Sequence, residues 1–335
     1  MSTAERERGG LEPDLSVELG PMRLPHPVLN ASGTFDLLEA AARYEGDLVA
    51  EFPFAAYVPK TVTLEPREGN PPPRITETPA GMINSVGLQN PGLDAYLPDL
   101  ARLAALAAPV IVNVGGSRPH DFVAVVERLE EWLEAGRPGE RPDVPAYELN
   151  VSCPNVATGL AIGADAAATA DLVGRVKAVT RRFLMVKLTP NVTSVVEVAL
   201  AAEAAGADGL SLVNTFKALV LDGETLRPFL GGVTGGLCGP AIKPLALRMV
   251  AEVAGAVCVP VVGMGGIVSG RDALEFIACG ATAVQVGAAN FAGIDAPRRI
   301  VAELDNEMRR RGLAGLAAVR GRAALPQRAR SGRES

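Results

Sequence analysis

The sequence predicts an α/β protein built as a parallel (β/α)8 TIM barrel with an N-terminal β-hairpin. Three observations predict it. Short apolar runs rich in Val, Leu, Ile and Ala recur eight times, helix-like segments lie between them, and almost every run ends in a polar or glycine cluster. Strands buried on both faces read as continuous apolar stretches, and strand–helix alternation calls for a parallel sheet. A doubly wound sheet is the competitor, but it seldom repeats the unit eight times without a break.

In chain order, Ser16 to Leu24 (within 15–27) reads as a hairpin closing the bottom of the barrel. The strand runs are Pro27–Asn30, Ala56–Thr61, Val110–Val114, Tyr147–Val151, Leu184–Leu188, Gly209–Asn214, Val259–Met264 and Ala283–Gly287. The helical segments are Leu93–Ala107, Asp121–Ala135, Ala166–Arg181, Val195–Ala205, Lys243–Val253, Arg271–Cys279 and Pro297–Arg311. No linker-like change in composition interrupts residues 15 to 315 of the 335. One domain over 14–313 is therefore expected, between a flexible N-terminus (1–13) and a flexible, arginine-rich tail (314–335).

A hydrophobic fraction of 48% suffices for a large core, and a net charge of −6 argues against nucleic-acid or anionic-membrane partners. The first residues carry both signs of charge and no apolar stretch, so they do not read as a secretory signal. Val253–Gly270 and Phe276–Ile294 are long and uncharged or nearly so, but glycines, Pro260, Thr282, Gln285 and Asn290 break them into strand-and-turn units rather than membrane spans. A soluble, cytoplasmic protein is expected. Cys153, Cys238, Cys258 and Cys279 have no metal or cluster spacing, so no metal is expected. His26 and His120 read as surface residues, and a base, if there is one, is not histidine.

The candidate base is Cys153, in Asn150-Val-Ser-Cys-Pro-Asn155, directly after an apolar run. Pro154 ends the ladder and forces a turn at the strand's C-terminal end, the edge where barrel enzymes do chemistry. Taken alone, a free cysteine is more often a small buried hydrophobe. The flanking Asn150 and Asn155 oppose that reading, because amides beside an inert core thiol need partners of their own.

The polar strand ends converge on one rim. Only five of the 32 basic residues are lysines, and Lys60 and Lys187 both end strands, where a compact ammonium meets an anion. Gly263-Met-Gly-Gly266 and Gly287-Ala288 after the last two strands read as a barrel phosphate site. They do not form the dinucleotide fingerprint. The Gly231–Pro240 loop is placed to close over the same ligand.

These motifs resemble the class 1 dihydroorotate dehydrogenases over about residues 14 to 312. The resemblance rests on Asn30-Ala-Ser-Gly-Thr34, Glu65-Pro-Arg-Glu-Gly-Asn-Pro-Pro-Pro-Arg74, Asn84-Ser-Val-Gly-Leu-Gln-Asn-Pro-Gly92, Leu149-Asn-Val-Ser-Cys-Pro-Asn155 and Val186-Lys-Leu-Thr-Pro-Asn191. The Asn84–Gly92 run and Asn214-Thr-Phe-Lys217 are closer to the NAD-linked subclass (1B) than to the fumarate-linked one (1A). The resemblance implies an FMN-dependent oxidoreductase acting on a CH–CH bond, converting dihydroorotate to orotate in pyrimidine biosynthesis. It implies FMN contacts from Ser32, Lys60, Thr61, Asn113, Asn150, Lys187, Val213, Gly239, Gly265, Gly266, Gly287 and Ala288. It implies substrate contacts from Lys60, Asn84, Ser85, Val86, Gly87, Leu88, Asn150, Asn214 and Thr215, with Cys153 as base and Val156–Gly163 as a lid.

Two departures stand out: Ala288 where the family usually has Thr, and Cys238 where it usually has Ser. The resemblance also implies a homodimer joined, as a heterotetramer, to a separate subunit carrying FAD and a 2Fe–2S centre, since this chain has no sequence signal for either. Competing readings are a fumarate-linked dihydroorotate dehydrogenase, a barrel enzyme with a nucleophilic cysteine, similar to IMP dehydrogenase, a flavin enzyme for another dihydropyrimidine, and a non-catalytic flavin-binding paralogue.

Overall fold

The computed structural model describes residues 12–44, 46–137, 139–151 and 162–323. A hairpin of β1 (Val17–Leu19) and β2 (Met22–Leu24) comes first, with the alternating burial of a ribbon that covers a core on one face only. A seven-stranded parallel sheet follows, made by β3 (Val28–Asn30), β6 (Ile111–Val114), β7 (Ala146–Asn150), β8 (Phe183–Lys187), β9 (Gly209–Leu212), β12 (Val261–Met264) and β13 (Ala283–Val286), in the order β3-β13-β12-β9-β8-β7-β6. It is a (β/α)8 barrel whose second position is filled irregularly.

That second position corrects the expected strand Ala56–Thr61. Tyr57 pairs with Val110 and Val62 with Val114, each as an isolated parallel bridge on the β6 side. On the other side, the Ala55 amide donates to Val28 O at 3.0 Å, and then the side chain of Asn30 takes over. Its Oδ1 accepts from Val58 N at 2.8 Å and its Nδ2 donates to Val58 O at 2.7 Å. Pro53 and Pro59 have no N–H to offer a ladder, so a buried carboxamide closes the barrel where backbone pairing cannot.

The helices lie outside the sheet, and several of their starts follow from capping chemistry. Asp165 accepts from Ala168 N at 2.7 Å to begin α4 (Ala166–Lys177), the fourth helix after α1 (Leu37–Arg43), α2 (Leu93–Ala101) and α3 (Pro119–Glu134). Ser194 opens α5 (Val195–Ala204) in the same way, and α6 (Lys243–Ala254) has proline in its first turn. Ser269 caps α7 (Gly270–Ala278), and α8 (Ala296–Arg310) completes the ring. α2 ends at Ala101, shorter than the segment to Ala107, and α1 was not anticipated.

A second, antiparallel sheet was also not anticipated. It orders β10 (Phe216–Ala218), β11 (Gly235–Cys238), β5 (Gly81–Asn84) and β4 (Ile75–Thr78), and turns the loops after the second and sixth barrel positions into one folded cover. Gly236 faces Asn84 in its register.

Below the sheet, Leu19 and Leu24 pack with Leu29, Ile111, Ala146, Met185, Val262 and Ala283, which form the apolar lower layer of the barrel interior. Leu313, Leu316 and Val319 belong to the same cluster, so residues 314–323 are folded against the barrel rather than loose, and Gly315 bridges Asp14. His26 is half-buried rather than a surface residue. Its Nδ1 accepts from Val28 N at 3.3 Å, and burial pulls its pKa down to about 4, so it is uncharged at neutral pH. Among the described residues no helix is long and apolar enough to cross a membrane.

Replacing Asn30 with Ala strips Val58 of both partners and leaves two buried backbone groups unpaired. A loss of about 2–4 kcal/mol is expected, read as a clearly lower midpoint of thermal unfolding. An unchanged midpoint would show that the Asn30–Val58 pair does not hold the closure.

Candidate active site

The upper layer of the barrel interior is polar, and this is what makes the site. Residues of a strand alternate between the barrel interior and the helices. Ala146, Glu148 and Asn150 of β7 therefore share the inward face, next to Ile111 and Asn113 of β6, Met185 and Lys187 of β8, Ser211 of β9, and Ala283 and Gln285 of β13. Glu148 is fully buried, and it accepts three hydrogen bonds: from Asn113 Nδ2 at 2.6 Å, Ser211 Oγ at 2.7 Å and Gln285 Nε2 at 2.9 Å. Lys187, 6% exposed, is the nearby cation. Burial pulls its ammonium below the ordinary lysine range, and the Glu148 carboxylate opposes that shift.

Above this layer lies a cavity of about 540 Å³, roofed by the antiparallel sheet. It is of the size that small-molecule and cofactor sites have. Among the expected contacts, Ser32, Lys60, Thr61, Asn150, Lys187, Val213, Gly239, Gly265, Gly266, Gly287 and Ala288 line it. So do Asn84, Ser85, Val86, Gly87, Leu88, Asn214 and Thr215.

One expected contact is placed differently. Asn113 is not a lining residue: it sits one layer down, where its Oδ1 accepts from Thr61 Oγ1 at 2.5 Å, and it bears on the cavity through Thr61. Cys153 and most of the expected lid fall outside the described residues. Of that lid, Ile162 and Gly163 are described; they begin a short turn of 3-10 helix, Ile162–Ala164, with Gly163 N donating to Val151 O at 2.9 Å.

Local folding explains the other placements. Gly33 has φ +74, and a Cβ there would stand 3.0 Å from Lys60 Nζ, so only glycine lets the ammonium lie against this turn. Gly266, at φ +80, would press a Cβ to 2.8 Å from Gly239 O, so the two glycine loops pack backbone to backbone. The 84–92 loop is held from behind by the buried Asn90, which bonds Thr63 and the backbone of Leu88 and Gly92. Leu88 is forced to φ 57, a region a leucine rarely takes. Ser85 gives its hydroxyl to Thr234 O at 2.9 Å, and so ties the loop to the cover.

Asn150 Nδ2 donates to Thr61 Oγ1 at 3.2 Å, and Asn214 Nδ2 donates to Asn150 Oδ1 at 3.3 Å. Cys238 lines the cavity, but burial pushes its thiol up to about 11, which makes it a neutral group near neutral pH. No group of residues able to hold a metal ion occurs among the described residues.

Sequence reasoning missed Glu148, Ser211 and Gln285. Their signal was present: each is a polar residue at an inward position of an otherwise apolar strand. Gln285 lines the cavity, and its Oε1 is buried without a hydrogen-bond partner. Such an atom calls for a donor from a bound molecule.

Comparison with known proteins identifies the family. The dihydroorotate dehydrogenase family profile matches residues 14–308. The chain is 46% identical to the "Dihydroorotate dehydrogenase B (NAD(+)), catalytic subunit" of Trichlorobacter lovleyi, over 93% of this chain and 99% of that one. It is 49% identical to the protein of the same name from Desulforudis audaxviator, over 89% of this chain and 94% of that one. Among solved structures it is similar in fold to DHODH from Eimeria tenella, crystallised with ferulenol, at a TM-score of 0.76 and 23% identity, covering 95% of this chain and 91% of that one. A profile that spans nearly the whole barrel, and near-half identity to complete relatives, leave one conclusion: the chain belongs to the dihydroorotate dehydrogenase family.

Proposed function

We propose that this chain is the catalytic subunit of an NAD-linked dihydroorotate dehydrogenase, oxidising dihydroorotate to orotate in pyrimidine biosynthesis with FMN in the barrel cavity. The observation that carries the reading is the cavity itself. Its floor offers a buried ammonium (Lys187) and an unpartnered acceptor (Gln285 Oε1), and its wall has two glycine loops open to close approach. This donor and acceptor set fits a flavin mononucleotide. The isoalloxazine edge would meet Lys187 and Gln285, and the phosphate would meet Gly265, Gly266, Gly287 and Ala288. Ala288 has no hydroxyl to add to that phosphate cradle.

Making the C5–C6 double bond removes a hydride and a proton. Bound FMN supplies the two-electron acceptor for the hydride from C6. The chain supplies the rest. The amides of Asn84, Asn150 and Asn214 hold the pyrimidine edge, and Lys60 stands where negative charge is to be met. Cys153, three residues beyond Asn150, takes the C5 proton as base. Cys153→Ala is expected to keep FMN but to slow flavin reduction by dihydroorotate by about 10²–10⁴-fold, the usual worth of a positioned base. Stopped-flow absorbance measures this, and a wild-type rate would remove Cys153 from the mechanism.

The floor and the cover should also separate by ligand. Lys187→Ala is expected to weaken FMN more than orotate, and Asn84→Ala to do the reverse, measured by calorimetric titration of each ligand. Equal losses of both ligands in each variant would refute this division of the cavity.

NAD needs its own route to the electrons. A separate subunit carrying FAD and a 2Fe–2S centre would take them from this FMN, in a heterotetramer built on a dimer of this chain in the cytoplasm. The name these relatives carry, catalytic subunit of an NAD(+) enzyme, supports that reading. The purified chain with dihydroorotate is therefore expected to reduce dyes or oxygen readily and NAD poorly, in a spectrophotometric assay with each acceptor. Efficient NAD reduction by this polypeptide alone would refute the partner.

A further inference from the structure

Glu148 has no part in the chemistry just described, yet it is the most deeply buried charged side chain of the barrel interior and three neutral donors converge on it. A carboxylate only accepts hydrogen bonds. That fact fixes the direction of everything bonded to it. Asn113 must turn its NH2 to Glu148, which leaves its Oδ1 as an acceptor, 2.5 Å from Thr61 Oγ1. The Thr61 hydroxyl must then donate downward, so its oxygen receives Asn150 Nδ2 at 3.2 Å. Asn150 Oδ1 in turn receives Asn214 Nδ2 at 3.3 Å, and Asn214 Oδ1 is held by Thr215 N at 2.8 Å. Every link runs one way, and the chain ends at two amides that line the cavity.

We infer that Glu148 is a positioning residue: it anchors the lower end of a one-way chain of hydrogen bonds, Asn214 to Asn150 to Thr61 to Asn113 to Glu148, whose upper end the Thr215 N–H holds, and so keeps the Asn150 amide turned one way toward the substrate. An amide can present either oxygen or NH2 at nearly the same shape, and only its partners decide between them. A neutral residue in place of Glu148 can donate as well as accept, so Asn113 and Thr61 are no longer held to one direction; the Thr215 N–H still orients Asn214, but Asn150 Nδ2 loses its assured acceptor in Thr61. Ser211 and Gln285 also bond Glu148, but they lie off this chain. The inference rests on the reading that Asn150 and Asn214 face the substrate.

The test is a double-mutant cycle on orotate affinity, measured by calorimetry on the full chain loaded with FMN. Glu148→Gln and Thr61→Val are each expected to weaken orotate about tenfold, as loss of an oriented polar contact does. Because both cut one chain, the double variant should fall no more than about twofold below the weaker single variant, instead of showing the product of the two losses. Ser211→Ala should lower the melting temperature yet leave orotate affinity within about twofold. If Glu148→Gln does not fold, Asn113→Ala replaces it in the cycle, cutting the same chain one link later.

Independent, multiplying losses overturn the proposal. So does an orotate loss in Ser211→Ala as large as that in Glu148→Gln, since the effect would then be general loosening. Asn150→Ala separates the two levels. Weak orotate binding in that variant, with wild-type binding in Glu148→Gln, overturns this inference alone. Wild-type binding in Asn150→Ala overturns the substrate-facing reading, and the inference falls with it.

Discussion

A buried polar group must find a partner, and this barrel is organised around that requirement. The lower interior is filled with aliphatic side chains, as a barrel interior must be if it is to be a packed core. One layer higher, Glu148, Lys187, Asn113, Ser211 and Gln285 replace them. A carboxylate and an ammonium in such a place carry a large desolvation cost, which opposite charge and three hydrogen bonds to Glu148 offset. What the layer gains is a polar floor under a cavity, with the groups around Glu148 partnered by hydrogen bonds.

The same requirement shapes the closure of the barrel and its cover. Asn30 stands in for a strand backbone, and Asn90 holds a loop that has no strand partner along most of its length. Glycines are placed where side chains or backbones must come close, at Gly33 for Lys60 and at Gly266 for the facing loop. The antiparallel sheet over the cavity has short strands, and the side chains of Asn84 and Ser85 tie its β5 side to its β11 side. Carboxamides and hydroxyls therefore do here what regular ladders do elsewhere.

Much of this was legible in the chain. The apolar runs marked seven of the eight barrel positions because strands buried on both faces cannot hide their composition. The polar strand ends marked the rim because nothing but a ligand or a partner justifies amides there. The second position was misread because periodicity reports burial, and Ala56, Tyr57 and Val58 are buried without a regular ladder. The covering sheet was missed because its strands are three or four residues long and partly glycine, below what alternation can reveal. Glu148 and Gln285 were passed over because a polar residue inside an apolar run was taken as part of the strand. In a parallel barrel that position is the one to question. Asn113 was placed in the cavity by resemblance, whereas its contacts put it one layer below, acting through Thr61.

In the proposed reaction this cavity holds FMN and directs the hydride of dihydroorotate to it. Anaerobic addition of dihydroorotate to the FMN-loaded chain, followed by flavin absorbance, tests it most directly. Loss of the oxidised-flavin band is expected, with one orotate formed per flavin reduced. A flavin that stays oxidised with dihydroorotate, yet is bleached by dithionite in the same cuvette, would contradict it.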